Sequence, residues 1–179
     1  MMRGSVVAAG VVAILAVAPA GAADCASEAK NLFAGKDCGF AKGVGGWTGV
    51  YDQSLGHESS DGDPSKGALV GSGPQGSLRL QAPCIVVKPD TDYRIAVRTK
   101  VASGSLYVCG YSVYQAADAA CEDASDPLVA DARPPEEKWQ PMSGEMRTGA
   151  NTKSVQLWLE CSGEKGFRVL FDDIVFAPK

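Results

Sequence analysis

Hydrophobic and polar residues alternate with a period of two along several stretches of the chain. In residues 154–161 the apolar positions are Val155, Leu157, Leu159 and Cys161. Such alternation is typical of a β-strand with one face in a core and the other toward solvent. The pattern therefore predicts a strand that turns Gln156, Trp158 and Glu160 outward.

A second clear alternation runs through residues 93–101. Tyr93, Ile95 and Val97 share one face, whereas Arg94 and Arg98 lie on the other. Residues 77–87, 105–114 and 167–176 also have the composition of strands. Residues 115–138 are irregular and rich in proline, which predicts one long surface connection. No stretch predicts a helix of more than a turn or two, so the chain is expected to be all-β.

Two adjacent acids, Asp172 and Asp173, interrupt the last apolar strand. Burying a neutral polar group without a hydrogen-bond partner costs ~2–7 kcal/mol, and burying an unpaired carboxylate costs more. A neighbouring group must therefore neutralise at least one of the two acids. Neighbours in a regular strand point to opposite faces, so this pair is not expected to flank one glycosidic bond.

The first 23 residues have the pattern of a secretory signal peptide. Arg3 is followed by an apolar stretch over residues 6–18 and by small residues at 20–23. Residues 24–179 then form one domain of ordinary size.

The chain has six cysteines, Cys25, Cys38, Cys84, Cys109, Cys121 and Cys161. An even number in an exported protein predicts disulfides, and the absence of a C-x-x-C pair, with a single histidine, argues against zinc. Proximity in sequence favours Cys25–Cys38 and Cys109–Cys121, which leaves Cys84–Cys161. The last pair has a difficulty, because Cys161 faces inward while Cys84 is out of phase with its inward neighbours.

Charge and motifs exclude several classes of function. The 17 basic and 21 acidic residues give a formal net charge of −4, and no basic patch predicts a nucleic-acid partner. The sequence has no G-x-S-x-G or H-E-x-x-H motif and no cysteine–histidine constellation. We therefore expect no enzymatic activity.

The last forty residues resemble the C-terminal end of a known family. Trp139 opens a strand, a polar turn and the alternating segment SVQLWLE follow, and the closing strand has an Asp-Asp-hydrophobic-x-hydrophobic pattern. Asn31-Leu32, Gly46-Trp47, Gly67 and a Pro-x-x-x-Tyr turn before residue 94 agree in order. Together they resemble the secreted carbohydrate-binding modules of the galactose-binding-domain-like superfamily, which occur beside cellulases and xylanases. The resemblance implies a single jelly-roll β-sandwich, here stapled by disulfides.

The resemblance also implies a structural calcium ion near the first acid of the pair, Asp172. In these modules a glutamate after a Gly-Phe pair binds the ion, but here Ala41 follows Gly39-Phe40. Calcium at Asp172 would therefore need oxygens from a rebuilt loop. The resemblance further assigns Trp47 and Trp139 to the core.

The outward residues of the two alternating strands form the candidate binding site: Arg94, Arg98, Gln156, Trp158 and Glu160. If both strands belong to one sheet, an indole surrounded by guanidinium, amide and carboxylate groups results. Aromatic rings stack on the C–H faces of sugars, and the polar groups bond sugar hydroxyls. The sequence thus favours a secreted, non-catalytic carbohydrate-binding module whose partner is a polysaccharide or a cell-surface glycan. The alternative is an exported structural or protein-binding β-sandwich without affinity for sugar, in which Arg98 stacks on Trp158 and stabilises the sheet.

Overall fold

A computed structural model describes residues 25, 27–28, 30–33, 37–50, 54–124 and 127–179. The predicted signal peptide, residues 1–23, lies outside the described residues. The described part of the chain is all-β, as predicted, and forms eleven strands. They are β1 (Thr48–Gly49), β2 (Ser54–Glu58), β3 (Ala68–Gly73), β4 (Ser77–Gln81), β5 (Ile85–Val86), β6 (Asp92–Ser103), β7 (Leu106–Ala116), β8 (Pro127–Arg133), β9 (Gln140–Arg147), β10 (Ser154–Gly163) and β11 (Phe167–Pro178).

The strands form two antiparallel sheets that pack face to face. The six-stranded sheet has the order β1-β4-β10-β7-β8, with β5 also paired to β10. The five-stranded sheet has the order β2-β3-β11-β6-β9. Because the chain passes repeatedly from one sheet to the other, consecutive strands often lie in opposite layers. This is the β-sandwich architecture that the resemblance to carbohydrate-binding modules implied.

The core lies between the sheets and follows the predicted alternation. Val155, Leu157 and Leu159 of β10 are fully buried, and they face Ile95 and Val97 of the opposite layer. Trp47 is also buried in this core, as predicted.

Trp139 differs from its prediction, because it lies outside the main core. It packs on a small cluster of Ala68, Val70 and Leu170 on the outer face of the five-stranded sheet. Its indole N–H donates to Asp61 Oδ1 at 3.1 Å, and Lys100 Nζ lies 5.9 Å from its ring centroid.

All six cysteines form disulfides, but two of the three favoured pairings are wrong. The bonds are Cys25–Cys38, as predicted, Cys84–Cys121 and Cys109–Cys161. Cys109 and Cys161 are register partners on neighbouring strands β7 and β10, and both face the core. Proximity in sequence missed this pair because 52 residues separate the two cysteines. The correct pairing also removes the difficulty of joining Cys84 to an inward-facing partner.

A bulge in β11 changes the geometry of the two adjacent acids. The register with β6 shifts between Asp172 and Val175, and Asp173 has a φ of 51°, in the left-handed region. Both carboxylates therefore join one network instead of pointing to opposite faces as the regular alternation predicted. Asp63 links the two acids. Its backbone N–H donates to Asp172, and its carboxylate forms an ion pair with Arg98, which also pairs with Asp173.

Candidate functional site

The structure does not bring the five predicted binding residues together. Arg94 and Arg98 lie on β6 in the five-stranded sheet, whereas Gln156, Trp158 and Glu160 lie on β10 in the six-stranded sheet. Their outward faces are on opposite sides of the sandwich. The single patch predicted from the sequence is therefore wrong, although each of these residues except Gln156 is at least partly exposed on its own side.

The two arginines of β6 have partners within the protein. Arg94 forms an ion pair with Glu28. Arg98 is mostly buried and pairs with Asp63 and with Asp173, whose Oδ2 lies 3.5 Å from its Nε. Arg98 thus connects Asp63, in the loop after β2, with Asp173 on the outer face of the five-stranded sheet. It does not contact Trp158, which lies on the other sheet.

Gln156 is also used inside the protein. Its side chain is buried, and its amide nitrogen donates to the carbonyl of Ala82 at 3.2 Å. Its amide oxygen accepts the indole N–H of Trp158 at 3.4 Å. Gln156 therefore orients the Trp158 ring instead of offering its own amide to a ligand.

Glu160 is the centre of a polar network on the outer face of the six-stranded sheet. Arg79 Nε lies 2.8 Å from its Oε1, and the Ser112 hydroxyl donates to its Oε2 at 2.6 Å. The strand register explains the network, since Arg79 of β4 and Gly110 of β7 lie directly opposite Glu160 on either side. A carboxylate held at both oxygens has one fixed orientation.

Trp158 lies next to this network and is half-buried. Its ring centroid is 5.1 Å from that of Tyr114, with a tilt of 46°, and the guanidinium carbon of Arg79 lies 5.5 Å from the indole centroid. The indole is therefore flanked by an aromatic ring and by a cation, both from neighbouring strands.

A groove of about 510 Å³ lies on the same face, on the other side of the Arg79–Glu160 pair from Trp158. Side chains of four strands approach it, and most of them are small or hydroxylated. They include Ser77, Arg79, Val108, Ser112, Glu160 and Ser162. Trp158, Tyr114 and Gln156 do not line it, so Glu160 is the one residue of the predicted patch that contributes to the groove.

Gly110 allows the edge strand β8 to form the wall of this groove. A Cβ atom at position 110 would lie 2.1 Å from the carbonyl oxygen of Asp131 and 2.8 Å from the Cα of Ala132. Backbone atoms cannot approach a side chain so closely, so β8 takes this position because residue 110 has no side chain.

The oxygens of Asp172 are already engaged. Asp172 is fully buried; its Oδ1 accepts the N–H of Asp173 and its Oδ2 that of Asp63, each at 2.7 Å. Burial raises the pKa of its carboxyl to about 7, the two N–H bonds oppose this shift, and the carboxylates of Asp173 and Asp63 add to it.

Asp172 was predicted as a calcium ligand, and the residues around it do not fit that ion. Calcium takes six to eight oxygen ligands, whereas here N–H groups and the Arg98 guanidinium occupy the neighbouring positions. Within the described residues, no group of three or more acidic, histidine or cysteine side chains is arranged to hold a metal. The Cys25–Cys38 disulfide also lies beside the site. A Cβ atom placed on Gly39 would be 3.5 Å from Cys25 Sγ and 3.7 Å from Asp172 Oδ1.

Sequence reasoning missed Arg79, Ser112 and Gly110. A signal for Arg79 was present, because it lies between the inward residues Leu78 and Leu80 and must face outward. The signals for Ser112 and Gly110 were incomplete. Alternation places both outward, but only the pairing of β7 with β10 puts them beside Glu160.

Comparison with solved structures identifies the fold. The CBM22-1 xylan-binding domain of Paenibacillus barcinonensis Xyn10C superposes with a TM-score of 0.59 at 17% identity, covering 78% of this chain and 90% of that one. The CBM22-2 domain of the same protein gives 0.62 at 11% identity, covering 79% and 98%. TmCBM61 in complex with β-1,4-galactotriose gives 0.56 at 12% identity, covering 84% and 99%.

These neighbours have galactose-binding-like β-sandwiches, so the chain has the fold of carbohydrate-binding modules, as the resemblance implied. No protein-family model and no curated protein matches the sequence. Among the described residues, no helix has the length and apolar character needed to cross a bilayer.

Proposed function

We propose that this protein is an exported, non-catalytic carbohydrate-binding module, and that the groove on the six-stranded sheet is its binding site. The observation that carries the proposal is the Glu160 network, which places a fixed carboxylate, a guanidinium and a hydroxyl at the edge of a groove. Sugar hydroxyls both donate and accept hydrogen bonds, so they match such a mixture of groups.

The rest of the groove supports a polyhydroxylated ligand without net charge. Ser77 and Ser162 add hydroxyls, and Val108 adds an apolar surface for C–H groups. The charges of Arg79 and Glu160 compensate each other, and Asp131 at the groove is compensated by Arg133, so the groove offers no excess charge to an ionic ligand. The fold supports the same class, because its structural neighbours are carbohydrate-binding modules.

The proposal that binding is not followed by catalysis rests on the partners that hold the two carboxylates at the groove, Glu160 and Asp131. Glycoside hydrolysis commonly needs two carboxyl groups that flank one bond, one of them a proton donor. Both oxygens of Glu160 are engaged, one by Arg79 and the other by Ser112. The carboxylate of Asp131, another residue at the groove, is paired with Arg133 at 2.6 Å.

Export is supported by the three disulfides, which form and persist in oxidising compartments. This agrees with the predicted signal peptide, so the protein is expected outside the cytoplasm, in the periplasm or the extracellular medium.

The test is calorimetric titration of the oxidised protein with β-1,4-linked xylo-, gluco- and galacto-oligosaccharides. Wild type is expected to bind at least one of them. Ser162→Phe places a ring in the groove and should abolish binding. The matched control is Ser143→Phe, the same change at an exposed position of β9 on the other sheet, which should bind like wild type. Absence of wild-type binding to all three series, or equal binding by Ser162→Phe, would contradict the proposal.

A further inference from the structure

The indole of Trp158 has the chemistry of a sugar-stacking platform, but a protein side chain is already stacked on it. The guanidinium carbon of Arg79 lies 5.5 Å from the ring centroid, within the range of a cation–π contact. Tyr114 packs at a tilt on the same indole. A sugar ring that stacked on Trp158 would need the space that Arg79 takes.

Arg79 is held in this position from a second direction. Its Nε is paired with Glu160 Oε1 at 2.8 Å, and Ser112 fixes the other oxygen of that carboxylate. The guanidinium is planar, so one face can lie on the indole while its edge contacts the carboxylate. The Arg79 side chain is nonetheless 44% exposed, so it has solvent to move into.

The groove and the indole lie on opposite sides of Arg79. Arg79 and Glu160 line the groove, whereas Trp158 does not, although Trp158 and Glu160 are only two residues apart on β10. Side chains two residues apart on a strand share one face, about 7 Å apart. Arg79 therefore separates the groove from an aromatic platform on one continuous surface.

We propose that Arg79 is a specificity-determining gate: it covers the Trp158 platform in the free protein and moves off the ring when a glycan extends from the groove onto the indole. This inference rests on the proposed function. The gate lowers the apparent affinity, because only the fraction of molecules with Arg79 displaced is competent to stack a sugar. It also favours ligands long enough to reach both the groove and the indole.

The experiment measures binding and tryptophan fluorescence with the oligosaccharide series for which wild type shows affinity, using xylohexaose first. Arg79 also contributes to the groove, so the quantity to compare is the ratio of the affinity for the longest oligosaccharide, which can reach the indole, to the affinity for the shortest, which occupies the groove alone. Arg79→Ala should raise this ratio by about 3- to 30-fold, which corresponds to about 0.7–2 kcal/mol at 1.4 kcal/mol per tenfold. It should also make the fluorescence change on binding larger. Arg79→Lys keeps the charge but loses the planar stack, so it should fall between wild type and Arg79→Ala.

Two controls isolate the gate. The double variant Arg79→Ala/Trp158→Ala should lose the gain, since no platform remains to be uncovered. Lys100→Ala removes the cation over Trp139 on the other sheet, 5.9 Å from that ring, and should leave affinity unchanged. Circular dichroism and thermal unfolding establish that each variant is folded.

The outcomes separate this inference from the proposed function. If wild type binds and Arg79→Ala leaves the ratio of long-ligand to short-ligand affinity unchanged or lowers it, the gate is wrong while carbohydrate binding stands. If the double variant keeps the full gain, the platform is not Trp158 and the gate is again wrong. If neither wild type nor Arg79→Ala binds any oligosaccharide, the proposed function fails and the gate fails with it.

Discussion

Cys109 and Cys161 are direct register partners on β7 and β10, and the disulfide between them lies on the core face of the sheet. The next register pair is Gly110 and Glu160, on the opposite face, which carries the groove. The bond therefore fixes the spacing of the two strands that carry the groove. Since it closes a segment of 52 residues, it also restricts the unfolded chain strongly.

We expect the double variant Cys109→Ala/Cys161→Ala to lose about 2–5 kcal/mol of unfolding free energy in chemical denaturation. Cys25→Ala/Cys38→Ala, which opens a loop of only 13 residues, should cost less by the chain-entropy argument. Thiol titration of the denatured, unreduced wild type should find no free thiol. Two or more free thiols, or an equal cost for the two double variants, would contradict this order.

Gly110 should be intolerant of the smallest side chain. A methyl group there meets the backbone of β8, so Gly110→Ala is expected to displace the edge strand, reduce oligosaccharide binding at least tenfold and destabilise the fold by about 1–3 kcal/mol. Gly149→Ala is the control, because its Cβ would meet nothing nearer than 3.4 Å. Calorimetric titration and thermal unfolding measure both effects. Unchanged binding by Gly110→Ala would mean that the wall formed by β8 does not contribute to the site.

Trp158 and Trp47 should respond differently to truncation. Trp47 is 4% exposed and packs with Phe33 and Phe40, so Trp47→Ala should cost about 3–5 kcal/mol of stability. Trp158 is half-buried on the outer face, so Trp158→Ala should cost less than half as much. If Trp158→Ala costs as much as Trp47→Ala in denaturant unfolding, the indole is a core residue and its assignment to the binding face is wrong.

Period-two alternation encodes the direction of side chains within a strand, but not which strands pair with each other. Period-two alternation correctly placed Trp158 and Glu160 outward on β10 and Ile95 and Val97 inward on β6, because side-chain direction in a strand is a local property. It could not tell that β6 and β10 belong to different sheets, because strand pairing joins residues far apart in sequence.

The same limit explains the other differences. The Cys109–Cys161 bond depends on the pairing of β7 with β10, which proximity in sequence does not reveal. Asp173 joined the network of Asp172 because a bulge interrupts the alternation on which the prediction relied. The resemblance to carbohydrate-binding modules gave the correct fold because it used the order of strands and turns along the whole chain.

Calcium should have little effect on stability. The oxygens of Asp172 accept backbone N–H groups, and the Arg98 guanidinium lies in the same network, so a cation would have to displace existing bonds. Thermal unfolding in calcium and in chelator is expected to give the same Tm at neutral pH. A ligand that binds only the native state must raise Tm by mass action, so a higher Tm with calcium, together with a bound ion in elemental analysis, would restore the predicted calcium site.

Asp172 should make stability fall as pH rises from about 4 to about 7. Its pKa is raised from 3.8 to about 7 in the folded protein, mainly by burial, so in this window the folded state holds a proton that the unfolded state has released. The contribution is fully present below pH 3.8 and is lost as pH approaches 7, at about 1.4 kcal/mol per pH unit, or about 4 kcal/mol over the window. Chemical denaturation of wild type and Asp172→Asn across this range measures it, because an amide cannot titrate. The difference in unfolding free energy between the two should change with this slope, whereas Ser143→Ala, at an exposed position whose side chain does not titrate, should run parallel to wild type. A difference independent of pH would mean that Asp172 is ionised in the folded protein throughout and that its two N–H bonds outweigh its burial.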